Sequence, residues 1–134
     1  MAPNRSLAEK LGLKEGIKAA IINPPENYGT TLGEQPRTIS ISGELNASFD
    51  LIQFFTKSEK ELEDRFPELE RRLSEKGMLW ISWPKSLSKA VVGLNEDIVR
   101  GIGLKHNLVD VKVIAVDGVW SGLKFVHRRS QERR

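Results

Sequence analysis

The sequence contains no cysteine, only two histidines and a single tyrosine among its 134 residues. Without cysteine, the chain can form neither a disulfide framework nor a thiolate metal site, and it has no thiol nucleophile. The two isolated histidines, His106 and His127, do not supply the clustered ligands of a metal centre, so we expect no metal site. The absence of cysteine also suits a reducing compartment, and we expect a cytoplasmic protein.

The sequence also lacks long apolar runs, and outside its last eight residues it has no net charge. No apolar run approaches the roughly 18 residues of a transmembrane helix, and the first residues lack the apolar centre of a signal peptide. The formal charge is +3, but the last eight residues hold four arginines and one glutamate, which leaves 17 basic and 17 acidic residues elsewhere. We therefore expect one domain over 1–127, a basic disordered tail over 128–134, no membrane partner and no specific nucleic-acid partner.

Apolar runs of strand length recur along the chain. The near-continuous runs over 17–22, 49–56 and 78–83 are typical of strands buried on both faces of a parallel sheet. A weaker alternating stretch over 38–42 indicates a strand at the edge of the sheet. The segments over 109–116 and 119–127, joined by Asp117-Gly118, predict a closing antiparallel hairpin.

Helices are predicted between these strands from their capping residues. Ser6, Ser58 and Asn95 stand where an N-cap side chain would accept a backbone N–H, and a short helical segment follows Pro25. Gly12 and Gly33 are expected to end the first two of these helices. The helix that starts at Ser58 is expected to end at Lys76-Gly77, with a kink or a new helix near Pro67.

Strands that alternate with helices predict a single compact Rossmann-like three-layer α/β domain, with a mostly parallel sheet that ends in an antiparallel hairpin. The segments that carry this order are FDLIQFF, the helix to Gly77, MLWISWPK and the final hairpin. Their arrangement resembles the class I S-adenosylmethionine-dependent methyltransferase fold over about the last two-thirds of the chain. This resemblance implies a topology and does not by itself imply an activity.

Four phrases resemble a more specific family. They are LWISWPK, NEDIVR, GLKHNLVDVKVIAVD and WSGLKFVHRR, and the likeness runs from Leu11 to Arg129. They are similar to an uncharacterised bacterial family, domain of unknown function 3052. That resemblance implies a Rossmann-like fold in a bacterial protein, and it supplies no catalytic residues.

A ligand site is predicted at the carboxyl edge of the sheet, because ligands of open α/β sheets bind beyond the carboxyl ends of the parallel strands. The expected lining consists of aromatic, lysine and serine side chains at the strand ends and in the hairpin at this edge, namely Tyr28, Trp83, Lys85, Trp120 and Ser121. Two tryptophans, a tyrosine and a lysine suit a flat or anionic ligand. An alternative is that Trp83 and Trp120 only cover the end of the sheet.

The loop after the first strand decides between two functions. It reads INPPENYG, in which Pro24 and Pro25 replace the glycine-rich turn of a cofactor site. The main interpretation is therefore a non-catalytic binding or accessory module for a small ligand or a protein, with no cofactor and no catalytic residue. The alternative is a minimal S-adenosylmethionine-dependent enzyme, in which Asn23 and Glu44 contact the cofactor, Glu44 through the ribose hydroxyls. A purely structural or oligomerising protein also stays open.

Overall fold

The computed structural model describes residues 6–33, 35, 38–85 and 94–128. Apart from Arg128, the expected tail lies outside the described residues. The elements follow in the order α1 (Leu7–Leu11), β1 (Lys18–Ile22), α2 (Tyr28–Leu32), β2 (Ser40–Ser42), β3 (Phe49–Phe55), α3 (Glu59–Arg72), β4 (Leu73–Pro84), α4 (Glu96–Lys105), β5 (Leu108–Ala115) and β6 (Trp120–His127).

The six strands form one sheet in the order β2-β1-β3-β4-β6-β5. Neighbouring strands from β2 to β4 are parallel, while β6 is antiparallel to both β4 and β5. After β1 the chain moves outward to β2 and then returns to place β3 on the other side of β1. The predicted α/β fold with a closing hairpin is confirmed, and its strand order reverses direction between β1 and β3.

The predicted N-caps are confirmed. The side chain of Ser6 accepts the Glu9 N–H, and that of Ser58 accepts the Glu61 N–H at 3.0 Å. The side chain of Asn95 begins α4 in the same way. Each cap gives one of the unpaired N–H groups of a first helical turn an acceptor, which explains why these helices begin where they do.

The predicted end of the third helix is wrong. α3 ends at Arg72, and β4 already begins at Leu73, which is buried and pairs with Phe49 of β3. Strand pairing and burial of Leu73 outweigh the helix-ending preference of Gly77. Pro67 also lies inside a continuous α3, where Phe66 and Leu69 on either side of it are fully buried and hold the helix on the sheet.

The core has two parts, one on each face of the sheet. On one face α3 and α4 cover residues such as Phe54 and Phe125. On the other face α1 and α2 contribute to a cluster that contains Phe55 and Trp80. The Trp80 indole N–H donates to the carbonyl of Leu11 at 2.9 Å, so a buried side chain of β4 secures the end of α1.

The approach of α4 to the sheet depends on a glycine. A Cβ at Gly103 would lie 2.1 Å from a ring carbon of Phe125, whereas a Cβ at Gly101, two residues earlier, would meet nothing within 4 Å. Gly103 is buried and Gly101 is exposed on the same helix. Glycine is therefore required at one position for packing and not at the other.

We expect Gly103→Ala to lower the free energy of unfolding by about 1–3 kcal/mol, because the added methyl group must displace α4 or the Phe125 ring. Gly101→Ala is the matched control and should be neutral or stabilising by up to about 1 kcal/mol, because alanine favours the helix. Urea unfolding followed by circular dichroism measures both changes. Equal effects of the two substitutions would contradict the close contact of α4 with β6.

Candidate functional site

A pocket of about 380 Å³ opens at the carboxyl edge of the sheet, between the ends of β1 and β3. Its volume lies within the roughly 300–1,000 Å³ of small-molecule sites. It is lined by Asn23, Pro25, Phe55, Thr56, Lys57, Ser58, Glu61 and Trp120. Because the strand order reverses between β1 and β3, the pocket lies where open α/β sheets bind their ligands.

The loop after β1 turns without a glycine. Asn23 and Asn27 adopt left-handed backbone conformations, with φ of 60° and 62°, which asparagine tolerates better than most residues. The Asn23 side-chain amide donates to the Phe55 carbonyl at 3.4 Å and so links the ends of β1 and β3. Pro24 and Pro25 have no N–H to offer a ligand.

The loop after β3 brings a carboxylate into the pocket. The Thr56 side chain accepts the Ser58 N–H at 3.2 Å, and its hydroxyl donates to Oε1 of Glu61. Glu61 Oε2 has no hydrogen-bond partner among the described residues. Beside it, Lys57 is exposed and has no ion-pair partner within that part of the chain. One carboxylate and one ammonium group are thus available at the pocket.

Three aromatic rings form a row under the pocket. The ring of Phe55 meets the ring of Tyr28 edge-on at 4.8 Å and that of Trp120 at 5.1 Å. The Tyr28 hydroxyl donates to Oε1 of Gln53 at 2.6 Å, and the Gln53 amide donates to the Ser82 hydroxyl. Tyr28 is buried and supports the wall formed by Phe55 and Trp120, but it is absent from the lining itself.

The expected pair of tryptophans is not brought together. Trp83 pairs with Ser121 and Trp120 pairs with Pro84 across the β4–β6 ladder. Neighbouring residues of a strand point to opposite faces of the sheet, so the two indoles lie on opposite faces. Trp83, only 4% exposed, packs in the core under α3 and α4, whereas the half-buried Trp120 lines the pocket.

Lys85 and Glu44 lie at the same edge but outside the pocket lining. The Lys85 N–H donates to the Val119 carbonyl at 2.6 Å, which ties the end of β4 to the hairpin. Glu44 is exposed and follows β2, whose Ser42 pairs with Ala20 of β1. Glu44 lies two residues beyond the end of β2, in a turn after the last β1–β2 pair. Hydrogen bonds between Ser42 and Glu44 hold this turn.

The sequence indicated Asn23 and Trp120, but it did not indicate Glu61 as a pocket residue. Glu61 is the last residue of the Ser58–Glu61 capping-box pattern. A helix cap is by itself a sufficient reason for a glutamate at this position, so the pattern did not point to a ligand. Ser58 and Glu61 come shortly after the buried strand β3 in the sequence. This position near the carboxyl end of a strand could have indicated that Glu61 lies at the site.

Known structures share this fold. The chain is similar to the N-methyltransferase NodS from Bradyrhizobium japonicum, with 13% identity over 90% of this chain and 92% of that one and a TM-score of 0.63. It is also similar to an S-adenosylmethionine-dependent methyltransferase from Aquifex aeolicus, with 15% identity, coverage of 89% and 86%, and a TM-score of 0.57. No protein-family profile and no curated protein matches the chain.

A third similar structure contains the cofactor. It is magnesium protoporphyrin IX methyltransferase from Synechocystis with bound S-adenosylmethionine, with 11% identity, coverage of 90% and 74%, and a TM-score of 0.58. The resemblance of the topology to class I methyltransferases is therefore confirmed. Our expectation of a fold without a cofactor is contradicted by these cofactor-dependent neighbours. The resemblance to the uncharacterised bacterial family stays a prediction.

Two further findings concern the described residues only. Within them, no group of three or more histidine, aspartate or glutamate side chains is arranged to hold a metal ion. In the same ranges, no helix has both the length and the apolar character that crossing a lipid bilayer requires.

Because the Tyr28 hydroxyl is buried, the free energy of unfolding is expected to fall at alkaline pH. Burial is the main reason that the pKa of Tyr28 lies above its ordinary value of about 10; the hydrogen bond to Gln53 opposes the shift and the charge of Asp117 adds to it. Above that ordinary value the unfolded chain loses the tyrosine proton while the folded chain keeps it. The stability that Tyr28 contributes is therefore complete below about pH 10 and falls as the pH rises further.

We expect Tyr28→Phe to cost about 1–3 kcal/mol near neutral pH, because the buried Gln53 carbonyl loses its donor. The variant should also lose less stability than the parent between about pH 9 and pH 11. Urea unfolding across this range measures both effects. Tyr28 is the only tyrosine, so tyrosinate absorbance in the folded protein reports this group alone. Ordinary titration in the folded state would contradict its burial.

Proposed function

We propose that the protein binds S-adenosylmethionine in the pocket between β1 and β3 and acts as a small methyltransferase. The observation that carries the proposal is the position of this pocket, at the carboxyl edge and at the reversal of strand order. Structures with the same fold over nine-tenths of the chain, among them cofactor-dependent methyltransferases, support it. This replaces a module without a cofactor as the favoured function.

The loop after β1 is compatible with this cofactor. A dinucleotide places its pyrophosphate on backbone N–H groups of a glycine-rich turn and a helix N-terminus. Pro24 and Pro25 lack such groups, and α2 has only five residues, so a dinucleotide is disfavoured. S-adenosylmethionine has no phosphate, and its binding does not require that arrangement. The left-handed Asn23 makes the turn that glycine commonly makes.

The polar groups of the pocket match the charges of the same ligand. S-adenosylmethionine has a carboxylate and an ammonium group at one end and an adenosine at the other, with a sulfonium between them. Lys57 offers a cation for the carboxylate, and the free oxygen of Glu61 offers an acceptor for the ammonium group. The ring of Trp120 provides a face for a cation or a base. Glu44, at the end of β2, is our candidate for the ribose hydroxyls.

The proposed reaction needs positioning more than it needs an acid or a base in the pocket. When bound, S-adenosylmethionine would supply an activated methyl group: an acceptor atom would bond to the methyl carbon as the methyl–sulfur bond breaks, S-adenosylhomocysteine would leave, and the acceptor would lose its proton to water. The residues of the chain then have to hold the ligand and keep the acceptor in line, which contributes by proximity and orientation. The connected side chains of Asn23, Thr56 and Glu61 provide a rigid frame for this, because each is tied to the end of β3 or to α3.

Binding is tested by titration calorimetry with S-adenosylmethionine and S-adenosylhomocysteine and by tryptophan fluorescence. Trp80 and Trp83 are buried and Trp120 lines the pocket, so the fluorescence change should disappear in Trp120→Phe while the other two tryptophans remain. We expect saturable binding of both ligands. Failure of both to bind at millimolar concentration would overturn the proposal.

Matched substitutions locate the ligand. We expect Lys57→Gln and Glu61→Gln to weaken binding by about tenfold or more, because each removes a charged partner worth roughly 1.5–3 kcal/mol. The controls Lys60→Gln and Glu63→Gln alter the same charges beside the pocket, at residues paired with Asp64 and Lys105. They should bind normally. Loss of affinity in the controls but not in the pocket variants would place the ligand elsewhere.

Transfer is tested separately from binding. S-adenosylhomocysteine formation is measured with a panel of small amine, hydroxyl and thiol acceptors, with Glu44→Gln included as a cofactor-site variant. Turnover that weakens in this variant supports the enzyme. Tight cofactor binding without any turnover across the panel would instead favour a non-catalytic module that uses the same pocket. The expected ligand residues Lys85 and Ser121 lie outside the lining of that pocket.

A further inference from the structure

The two faces of the closing hairpin, β5 and β6, differ in how they are covered. On one face Leu108, Leu123 and Phe125 are buried beneath α4. On the face that looks toward α1 and α2, every side chain of the two strands is exposed or half-buried. α1 stops one strand away, where a Cβ at Gly12 would lie 2.8 Å from Cε of Met78 in β4. Within the described residues, the helix layer on this side therefore ends before it reaches the hairpin.

Two lysines stand opposite each other on this less covered face. Lys124 of β6 pairs with Lys112 of β5, and on its other side it pairs with Trp80 of β4. Paired residues of a ladder point to the same face, and the Cβ atoms of opposite residues lie about 4.5–5.5 Å apart. The two ammonium groups therefore extend from neighbouring points of one face.

The two strands place no acidic side chain on the face of the lysines. Asp110, the one acidic residue of β5, pairs with Phe125 and so points to the other face, where it binds Arg100 at 2.9 Å. β6 contains no acidic residue. Glu75 and Lys76, which border the face at its amino end, cancel in formal charge. Neither of the two lysines has an ion-pair partner in the described part of the chain.

The lysine pair is unfavourable by itself. Like charges that stand directly opposite each other destabilise a sheet. Burial, and after it the charge of Lys112, lowers the pKa of Lys124. An acidic group held between the two ammonium groups would remove the repulsion and would accept charge-assisted hydrogen bonds from both. This face is therefore complementary to a carboxylate.

Apolar side chains flank the lysines on both sides along the strands. Val126 pairs with Val109 toward the amino edge, and Gly122 pairs with Ile114 toward the carboxyl edge. Successive side chains on one face of a strand lie roughly 7 Å apart. A free inorganic anion would leave these apolar groups uncovered. We call this surface the hairpin face and define it by Val109, Lys112, Ile114, Lys124 and Val126.

We propose that the hairpin face binds an acidic amphipathic helix of a partner protein. Such a helix would extend over the hairpin the layer that α1 and α2 begin, as in folds with helices on both faces of a sheet. Residues three or four apart share one side of a helix, so the partner needs a glutamate or aspartate with an apolar residue one turn before it and one turn after it. The exposed sides of α3 and α4 contain lysines such as Lys60 and Lys105, which disfavours a second copy of this chain as the partner.

The test is fluorescence anisotropy with a labelled synthetic helical peptide of about 18 residues, whose leucine stripe has a glutamate at its centre. A matched peptide has lysine in place of that glutamate. The parent protein should bind the glutamate peptide about tenfold more tightly than the lysine peptide, and Lys112→Glu/Lys124→Glu should reverse this preference. The control Lys60→Glu/Lys105→Glu makes the same change in net charge on α3 and α4 and should keep the parental preference.

The single variant Lys112→Gln separates binding from folding. It removes the like charge opposite Lys124, so the urea midpoint should rise, while the affinity for the glutamate peptide should fall about tenfold. A lower midpoint would show that the pair is not repulsive and would overturn the inference. Circular dichroism establishes that each variant is folded. If the double charge reversal is unstable, Lys112→Gln/Lys124→Gln replaces it and should bind the two peptides equally.

Several other outcomes overturn the inference. Failure of the parent to bind the glutamate peptide at millimolar concentration would do so. Equal binding of the two peptides by the parent would mean that apolar contact alone holds them. Equal effects of the two double variants would mean that only net charge matters. A dimer that dissociates in Lys112→Glu/Lys124→Glu, measured by analytical ultracentrifugation, would assign the hairpin face to a second copy of this chain.

The inference is independent of the proposed function. No residue of the hairpin face lines the pocket between β1 and β3, so S-adenosylmethionine titrations should be unchanged in these variants. Lys57→Gln, in the pocket, should bind the glutamate peptide as the parent does. Loss of peptide binding alone therefore bears on the hairpin face, and loss of cofactor binding alone bears on the proposed function.

Discussion

The satisfied amide of Gln53 in the middle of β3 is the interaction on which the carboxyl edge depends. β3 is paired on both sides in parallel and is buried along most of its length. A polar side chain in this position is costly unless it is hydrogen-bonded. Gln53 meets this requirement by accepting from Tyr28 of α2 and donating to Ser82 of β4. The position of α2 and the register of β4 are thus coupled to the strand that ends in the pocket.

The ends of the sheet have different chemical characters because of how the chain alternates between strands and helices. Acidic residues begin α3 and α4 and basic residues end them, as suits the helix dipole. Since these helices start at the carboxyl edge and finish at the amino edge, acidic residues lie near the carboxyl edge and basic residues near the amino edge.

The strands, the hairpin and the helix starts were predictable because they depend on local patterns. Continuous apolar runs, an Asp-Gly turn and N-cap side chains act over a few residues, and tertiary packing left them intact. The end of α3 was not predictable in this way. Leu73 leaves the helix to pair with Phe49, twenty-four residues earlier, and local preference does not contain that contact. The candidate site shows the same division: Asn23 follows β1 and Trp120 begins β6, so both were expected at this edge, whereas Glu61 was explained by its role in a cap.

By itself the sequence determined the α/β class, the approximate strands and the edge at which a ligand site should lie, because apolar periodicity and βα alternation constrain these directly. Only the tertiary structure decided which side chains share that site. It separated Trp83 from Trp120 because residues that differ by one position in a ladder face opposite sides of a sheet. It also brought Glu61 of α3 to the pocket between β1 and β3, where local pattern had indicated only a helix cap. Register and strand order are properties of the assembled sheet, and they set both results.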